Sequence, residues 1–243
     1  MPPPGILVRD LALRFGGDVV FENLNFEVPA GRLLALLGPS GVGKTSLLRI
    51  IAGLEVAAFG SVNATDSAPL LGRVAYMAQQ DLLLPWASVL NNVMLGATLR
   101  REKRDVARAA HLLSQVGLAG RERALPAALS GGMRQRAALA RTLYEQRPVV
   151  LMDEPFSALD SITRARIQNL AAELLAGRTV LLITHDPMEA CRLGHQLLVL
   201  SGQPARLGSP ITVPGAPPRA ADDPQVLHTQ GQLLRTLEAM APE

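Results

Sequence analysis

Residues 33–51 read LLALLGPSGVGKTSLLRII, and this stretch decides the fold. The five apolar residues at 33–37 predict a buried strand, and the apolar residues after Gly43 recur at the spacing of a helix face. Between the two lies the segment 38–45, which satisfies the pattern G-x-x-x-x-G-K-[ST] in the position that this motif requires. The order of strand, glycine-rich loop and helix therefore predicts a phosphate-binding loop.

This loop carries residue types suited to the phosphates of a nucleotide. Its glycines permit a tight turn whose N–H groups point towards phosphate oxygens, and the N-terminus of the following helix adds a favourable electrostatic field. We expect Lys44 to reach the β- and γ-phosphates and Thr45 to give its hydroxyl to Mg²⁺. The predicted nucleotide contacts of this segment are Gly38, Pro39, Ser40, Gly41, Val42, Gly43, Lys44, Thr45 and Ser46.

A second hydrophobic stretch, VVLM at 149–152, is followed by the two carboxylates Asp153 and Glu154. Carboxylates at the end of a buried strand are costly unless a cation or a proton transfer uses them. We expect Asp153 to hold the magnesium shell through water and Glu154 to orient or deprotonate the attacking water. Two solvated acids at a strand end are the alternative, and the phosphate-binding loop upstream argues against it.

A third segment, LSGGM at 129–133, precedes a helical run rich in alanine and leucine. Ser130 is suited to cap this helix. The two glycines that follow weaken a helix, but they let a second anion approach the exposed N–H groups. Together, the loop at 38–45, this segment and the strand with its two carboxylates resemble the ATP-binding cassette of ABC transporters. The resemblance covers about residues 6–201 and implies binding and hydrolysis of ATP with Mg²⁺.

The resemblance implies roles for four further residues. Gln79 matches the Q-loop glutamine, which can contact the metal or water, and Asp160 lies in a segment that resembles the D-loop. His185 resembles the switch histidine that senses the γ-phosphate, and Phe15 lies where the family places an aromatic ring under adenine. Taken singly, a histidine at a strand end is more often structural, and a phenylalanine more often belongs to the core. The implied catalytic residues are Glu154, His185 and Gln79, the implied metal ligands are Thr45, Gln79 and Asp153, and the implied nucleotide contacts beyond the loop are Phe15, Ser130, Gly131, Gly132 and Asp160.

The predicted fold class is α/β, a P-loop NTPase of the ABC ATPase cassette type with a mostly parallel core sheet. An antiparallel β region is expected at the N-terminus, and an α-helical subdomain is expected as an insertion at about 82–146. Residues 88–146 read as almost wholly helical, with the basic cluster at 100–104 opening a surface helix. The cassette is predicted over 1–201, and a proline-rich tail with a short terminal helix is predicted over 202–243.

The composition of the 243 residues excludes several classes of protein. A hydrophobic share of 48% rules out a disordered chain, and the longest apolar runs, 33–37 and 74–78, are far shorter than the roughly 20 residues that span a membrane. The 24 basic and 21 acidic residues leave a net charge of only +3, so the sequence predicts no nucleic-acid partner. Cys191 is the single cysteine, which excludes an internal disulfide and favours a reducing cytoplasm.

The family resemblance also implies partners. Two copies are expected to pair head to tail, so that Ser130, Gly131 and Gly132 of one copy cap the γ-phosphate that Lys44 of the other copy holds. Opening and closing of this homodimer would drive integral-membrane permease subunits at the cytoplasmic face of the inner membrane. A periplasmic or lipoprotein solute-binding protein would act indirectly.

Details of the sequence favour one branch of the family. A separate cassette without membrane spans suits a bacterial importer, and the segments 79–86 and 91–93, with Met133, resemble the branch that imports nitrate, sulfonates, taurine and pyrimidine precursors of thiamine. The predicted function is therefore an ATPase that energises uptake of a small solute of this kind. A non-transport mechanical or regulatory ABC ATPase acting on a membrane or cell-wall partner is the alternative, and a P-loop kinase is a third interpretation.

Overall fold

The computed structural model describes residues 2–239, which fall into two compact units. The first unit contains the described residues up to Val74, Pro148–Asp153 and those from Ala176 onward, and the second contains Ala75–Arg147 and Glu154–Leu175. The strands of the described chain are β1 (Ile6–Phe15), β2 (Asp18–Val28), β3 (Leu33–Leu37), β4 (Phe59–Ala64), β5 (Val74–Met77), β6 (Val149–Asp153), β7 (Thr179–Ile183), β8 (Gln196–Ser201), β9 (Arg206–Leu207) and β10 (Ile211–Thr212). Its α-helices are α1 (Lys44–Ile51), α2 (Val89–Val93), α3 (Leu95–Leu99), α4 (Val106–Gln115), α5 (Gly131–Tyr144), α6 (Ser161–Leu174), α7 (Pro187–Leu193) and α8 (Pro224–Ala239).

The core of the first unit is a parallel sheet whose strands lie in the order β8, β3, β7 and β6. Every residue of β3, β6 and β7 is buried, and nearly all of them are aliphatic. Continuous apolar strands of this kind are typical of a parallel sheet that is covered on both faces. The structure thus confirms the predicted α/β fold with a mostly parallel core sheet.

An antiparallel sheet of order β2, β1 and β4 forms the N-terminal part of the same unit. Ile6 pairs with Val28 on one side and with Ala64 on the other. The alternation of buried and exposed residues is incomplete, because the register between β1 and β2 shifts at several points between Val8 and Arg14. This sheet confirms the predicted antiparallel β region.

Helices α2 to α6 dominate the second unit, which takes in the region where an inserted helical subdomain is expected at about 82–146 and adds Glu154–Leu175. The prediction that 88–146 is almost wholly helical is wrong for 100–105 and 116–125. In these stretches Arg101, Gly117 and Gly120 have positive φ angles of 57°, 73° and 79°, which end a right-handed helix.

The basic cluster at 100–104 precedes α4 rather than opening it, so this detail of the prediction is wrong. The helix begins one residue after Asp105, whose carboxylate accepts a hydrogen bond from the Arg108 backbone N–H at 2.9 Å. A side-chain cap of this kind fixes where a helix starts, because it satisfies one of the backbone donors that the first turn leaves open.

The described part of the tail that begins at 202 belongs to the first unit. β10 pairs antiparallel with β8, with Ile211 opposite Leu197. α8 packs on α7 and buries Val226 and Leu233. The helix expected at 225–240 is observed at Pro224–Ala239, and residue 240 lies outside the described residues.

Two further features of the described chain are the burial of its cysteine and the character of its helices. Cys191 lies fully buried in α7, where burial raises the pKa of its thiol to about 11. Within residues 2–239, no helix is both long enough and apolar enough to cross a membrane.

Candidate active site

The phosphate-binding loop begins where β3 ends and closes at the first turn of α1. Gly38 has a φ angle of 154°, and a Cβ atom there would overlap the carbonyl oxygen of Leu200. Gly43 has a φ angle of 102°, and a Cβ atom there would lie 2.8 Å from Val20 Cγ1. Glycine fits both positions because each combines a left-handed backbone with a close neighbour. The loop is thereby held between β8 on one side and β2 on the other.

We expect Gly38→Ala to lower the free energy of unfolding by about 2–4 kcal/mol. The added methyl group would clash with the Leu200 carbonyl oxygen, which is part of the backbone of β8 and cannot move unless the strand moves with it. Urea unfolding measures the loss. Gly41→Ala is the matched control, since Gly41 also has a positive φ angle, 80°, but a Cβ atom there would meet nothing within 4 Å. Equal losses in the two variants would contradict the close approach of Gly38 to β8.

Lys44 begins α1, and its side chain folds back over the loop. Its Nζ atom donates hydrogen bonds to the carbonyl oxygens of Gly38 and Pro39, both at 2.8 Å, and only 7% of the residue is exposed. A cation held in a glycine loop at a helix N-terminus is suited to a polyphosphate, because both features favour negative charge. The nucleotide contacts of the loop stay a prediction, including those of Ser40, Gly41, Val42, Gly43 and Ser46.

Thr45 and Asp153 are brought together by the packing of α1 on β6. The Thr45 hydroxyl donates a hydrogen bond to Asp153 Oδ2 at 2.7 Å, and Asp153 is only 1% exposed. Hydroxyl and carboxylate oxygens are ligands that Mg²⁺ prefers, so the pair fits the predicted metal site. The role of the two residues as metal ligands stays a prediction.

Glu154 follows Asp153 in the chain and is held by neighbours in the second unit. Its Oε2 atom accepts a hydrogen bond from Gln79 Nε2 at 3.2 Å, so two of the predicted catalytic residues are in contact. Its φ angle is 47°, a conformation that costs a residue other than glycine about 1–3 kcal/mol. A strained backbone at a predicted catalytic carboxylate supports the hypothesis that the direction of this side chain matters for function.

Gln135 holds this strained backbone and is absent from the residues predicted from the sequence. Its Nε2 atom donates to the Glu154 carbonyl oxygen at 3.0 Å, and its Oε1 atom accepts from the Ala158 N–H at 2.8 Å. The side chain lies on the inner face of α5 and is only 5% exposed. The signal in the sequence that could have found Gln135 was a polar residue within an alanine- and leucine-rich helix, because a buried amide needs hydrogen-bond partners.

The N-terminus of α5 has the predicted cap. The Ser130 hydroxyl accepts a hydrogen bond from the Met133 backbone N–H at 3.3 Å. Asp160 similarly caps α6, and the N–H of Thr163, at 3.0 Å, lowers the pKa of the Asp160 carboxyl. The contacts of Ser130, Gly131, Gly132 and Asp160 with a nucleotide stay predictions.

His185 and Phe15 both lie in the first unit. His185 is exposed between β7 and α7, in a segment where the Thr184 hydroxyl accepts a hydrogen bond from the Asp186 N–H at 3.0 Å. Phe15 ends β1 and is 56% exposed, so the alternative of a core phenylalanine is wrong. An exposed ring can stack on a base, but the contact of Phe15 with adenine and that of His185 with phosphate stay predictions.

Two arginines of α5 hold the segment that follows Gln79. Arg134 Nε donates to Asp81 Oδ2 at 3.0 Å, and Arg141 donates to the carbonyl oxygens of Asp81 at 2.6 Å and Leu82 at 2.8 Å. Burial lowers the pKa of Arg141. Within the second unit, an open cavity of about 400 Å³ is lined in part by Gln79, Gln80, Asp81, Gly131, Arg134 and Ser157.

The buried lysine in its glycine loop and the threonine–aspartate pair define a P-loop nucleoside triphosphatase. The sequence profile described as ABC transporter matches residues 21–157. The chain belongs to the ABC transporter family. It is therefore an ATPase, since binding and hydrolysis of ATP are the activity of the cassette in this family.

Relatives that cover nearly the full chain confirm the prediction of an ABC import ATPase. The aliphatic sulfonates import ATP-binding protein SsuB 1 of Rhodococcus jostii is 44% identical, over 96% of this chain and 95% of the relative. The protein of the same name from Pseudomonas syringae pv. syringae is 41% identical, over 98% of each chain.

A solved structure with the same fold supports hydrolysis. It is a dimeric structure of a post-hydrolysis state of the ATP-binding cassette MJ0796, bound to ADP and Pi. The TM-score is 0.77 at 28% sequence identity, and the match covers 86% of this chain and 99% of the other. This likeness confirms the predicted cassette fold.

Proposed function

We propose that this chain hydrolyses ATP to energise uptake of a small anion of the aliphatic sulfonate class through separate permease subunits. The contact between the Thr45 hydroxyl and the buried Asp153 carboxylate, beside Lys44, carries the hydrolytic part of the proposal. The names of the relatives support a sulfonate over the nitrate and thiamine-precursor alternatives, and taurine is itself an aliphatic sulfonate. The chain would work peripherally, at the cytoplasmic face of the inner membrane.

The residues of the first unit would bind the nucleotide. Phe15 would stack on the adenine ring, and Lys44 would contact the β- and γ-phosphates from inside the glycine loop. Mg²⁺, when bound, would supply positive charge against the phosphate oxygens. Thr45 and Asp153 are the residues that would hold it, and Gln79, which resembles the Q-loop glutamine, would be a further ligand.

Glu154 would accept a proton from the water that attacks the γ-phosphate, which yields ADP and inorganic phosphate. Its backbone is held by Gln135, and its carboxylate accepts a hydrogen bond from Gln79, so its position is fixed from two sides. His185 would contact the γ-phosphate and report its presence. The resemblance of these residues to the family's motifs and the contacts of Glu154 support these roles.

Two copies would pair head to tail. Ser130 caps a 14-residue helix that begins with Gly131 and Gly132, and the N-terminus of a helix of this length favours an anion. In the proposed dimer this helix end faces the γ-phosphate that Lys44 of the other copy holds. The dimeric structure of the similar cassette MJ0796 supports the pairing.

A permease is proposed to dock beside Gln79. Leu82 and Trp86 are 59% and 76% exposed in the segment that follows it, and large apolar side chains of this kind are suited to a protein interface. A periplasmic or lipoprotein solute-binding protein would deliver the solute to that permease. No nucleic acid takes part in this proposal.

The test is uptake by the complete transporter. The chain, its permease and its solute-binding protein would be reconstituted in lipid vesicles, with ATP on the side of the cassette, and labelled alkanesulfonate would be followed against taurine and nitrate. We expect ATP-dependent uptake of the sulfonate. ATP hydrolysis without uptake of any of these solutes, together with recovery of an activated membrane or cell-wall enzyme, would favour the non-transport alternative. A phosphorylated acceptor would indicate the kinase interpretation.

A further inference from the structure

Arg219 lies in the tail between β10 and α8 and is only 5% exposed. The five N–H groups of its guanidinium group donate to six backbone carbonyl groups in the first unit, so one N–H is shared between two acceptors. Three acceptors belong to the tail itself, at Val213, Pro214 and Gly215, with distances of 2.9, 2.6 and 2.6 Å. The other three lie at the C-terminal end of α7, at Cys191, Arg192 and Gly194, with distances of 3.0, 3.5 and 2.8 Å.

The position of this guanidinium group stabilises α7. The last carbonyl groups of any helix lack partners within the helix, and a cation near them also interacts favourably with the helix dipole. α7 has only seven residues, so it depends on such end contacts and on packing for its stability. Burial lowers the pKa of Arg219, but hydrogen bonds to six carbonyl oxygens favour the charged form.

The tail and α7 are joined by hydrogen bonds whose donors lie on both sides. The Arg219 backbone N–H donates to the Arg192 carbonyl oxygen at 3.0 Å, and Arg192 Nε donates to the Arg219 carbonyl oxygen at 3.0 Å. The opposite end of α7 is capped by Asp186, whose carboxylate accepts from the N–H groups of Met188 at 2.9 Å and Glu189 at 3.3 Å. His185 immediately precedes this cap.

We propose that Arg219 is a positioning residue for His185, because it holds the C-terminal end of α7 while the N-terminal end of the same helix carries the cap that follows His185. The inference rests on the role that the proposed function gives to His185. It makes the tail, which contributes no predicted nucleotide contact, a part of the hydrolytic machinery.

The presence of a buried arginine at position 219 supports a role in positioning α7 over simple attachment of the tail. α8 already packs on α7 and buries Val226 and Leu233, so apolar burial can hold the tail in place. A buried guanidinium group is a costly way to gain stability, since well-packed apolar residues do as well or better. The guanidinium group instead fixes the positions of its neighbours, because its planar, rigid set of N–H donors is satisfied only when the surrounding carbonyl groups are arranged to match it.

The test is a double-mutant cycle on the full chain. Arg219→Met and Arg219→Lys are each made alone and together with His185→Ala, and kcat and KM for ATP are measured from phosphate release. We expect Arg219→Met to lower kcat about tenfold and to change KM less than about threefold, because misplacement of a catalytic group affects turnover. Arg219→Lys should recover part of the loss. In the His185→Ala background the further loss should be less than about twofold, since both changes act on the same group.

Val8→Ala is the matched control, because Val8 is buried in the antiparallel sheet of the same unit and belongs to neither α7 nor the tail. It should lower the melting temperature and leave kcat unchanged. Should Arg219→Met fail to fold, the lysine variant carries the same comparison, because it keeps the charge and can reach some of the carbonyl groups.

Two results would overturn the inference about Arg219 and leave the proposed function intact. One is an equal loss of kcat from the Arg219 variants in both backgrounds, and the other is a lower melting temperature with unchanged kcat. A fully active His185→Ala variant would instead remove the role of His185 from the proposed function and the inference with it. The measurements therefore separate failure of the inference from failure of the function on which it rests.

Discussion

Glu154→Gln is expected to slow ATP turnover by at least about a hundredfold, the scale typical of losing a general base. The glutamine amide has the size of the carboxylate but cannot accept the proton of the attacking water at neutral pH. The backbone of residue 154 is held by Gln135 through its carbonyl oxygen, so the substituted side chain should keep its place. The variant should therefore bind ATP normally and accumulate as an ATP-bound dimer.

Phosphate release at saturating ATP measures this loss, and light scattering after gel filtration with ATP and Mg²⁺ measures the dimer. Glu173→Gln is the matched control, because Glu173 lies exposed on α6 and is no predicted site residue. Its turnover should equal that of the unmodified protein. Unchanged turnover in Glu154→Gln would show that the general base is misassigned.

Lys44→Ala is expected to weaken ATP binding by about ten- to hundredfold, because hydrogen bonds to charged groups contribute about 1.5–3 kcal/mol each. The change removes the cation from the loop and also removes the bonds that Nζ makes to the Gly38 and Pro39 carbonyl oxygens. Titration with a fluorescent ATP analogue measures the affinity. Thermal unfolding of the free protein shows whether the loop has also lost stability.

The chain offers a close control for this experiment, since Lys103 is its only other lysine. Lys103 is exposed in the segment before α4 and is no predicted phosphate contact, so Lys103→Ala removes the same charge from outside the predicted site. Its affinity for ATP should be unchanged. An unaltered affinity in Lys44→Ala would count against the phosphate-binding role of the loop.

Much of the fold follows from local sequence patterns. The apolar runs at 33–37, 149–152 and 180–183 have no polar alternation, a pattern typical of strands that are buried on both faces, and all three lie in the parallel sheet. The loop at 38–45 could be placed because its glycines and lysine occur at fixed spacing between a strand and a helix. The contact between Thr45 and Asp153 can be expected once β3, which leads into the loop, and β6, which ends at Asp153, are placed in one sheet.

Other features depend on contacts between distant residues and could not be read locally. The break at 100–105 includes a non-glycine residue, Arg101, with a positive φ angle, and nothing in the basic sequence marks it. Gln135 and Arg219 look like ordinary polar residues until the partners of their side chains are known. Their importance comes from burial, which a single sequence does not show for polar residues.

The buried thiol of Cys191 has a practical consequence. The thiolate is the form that attacks thiol reagents, and a buried thiol with a pKa of about 11 is almost entirely protonated at neutral pH. The native chain thus behaves as a cysteine-free background, into which a reporter cysteine can be introduced without removing a natural one. Because Arg219 donates a hydrogen bond to the Cys191 carbonyl oxygen and its charge acts on the nearby thiol, we expect labelling of this sulfur to become measurable only when the tail separates from α7.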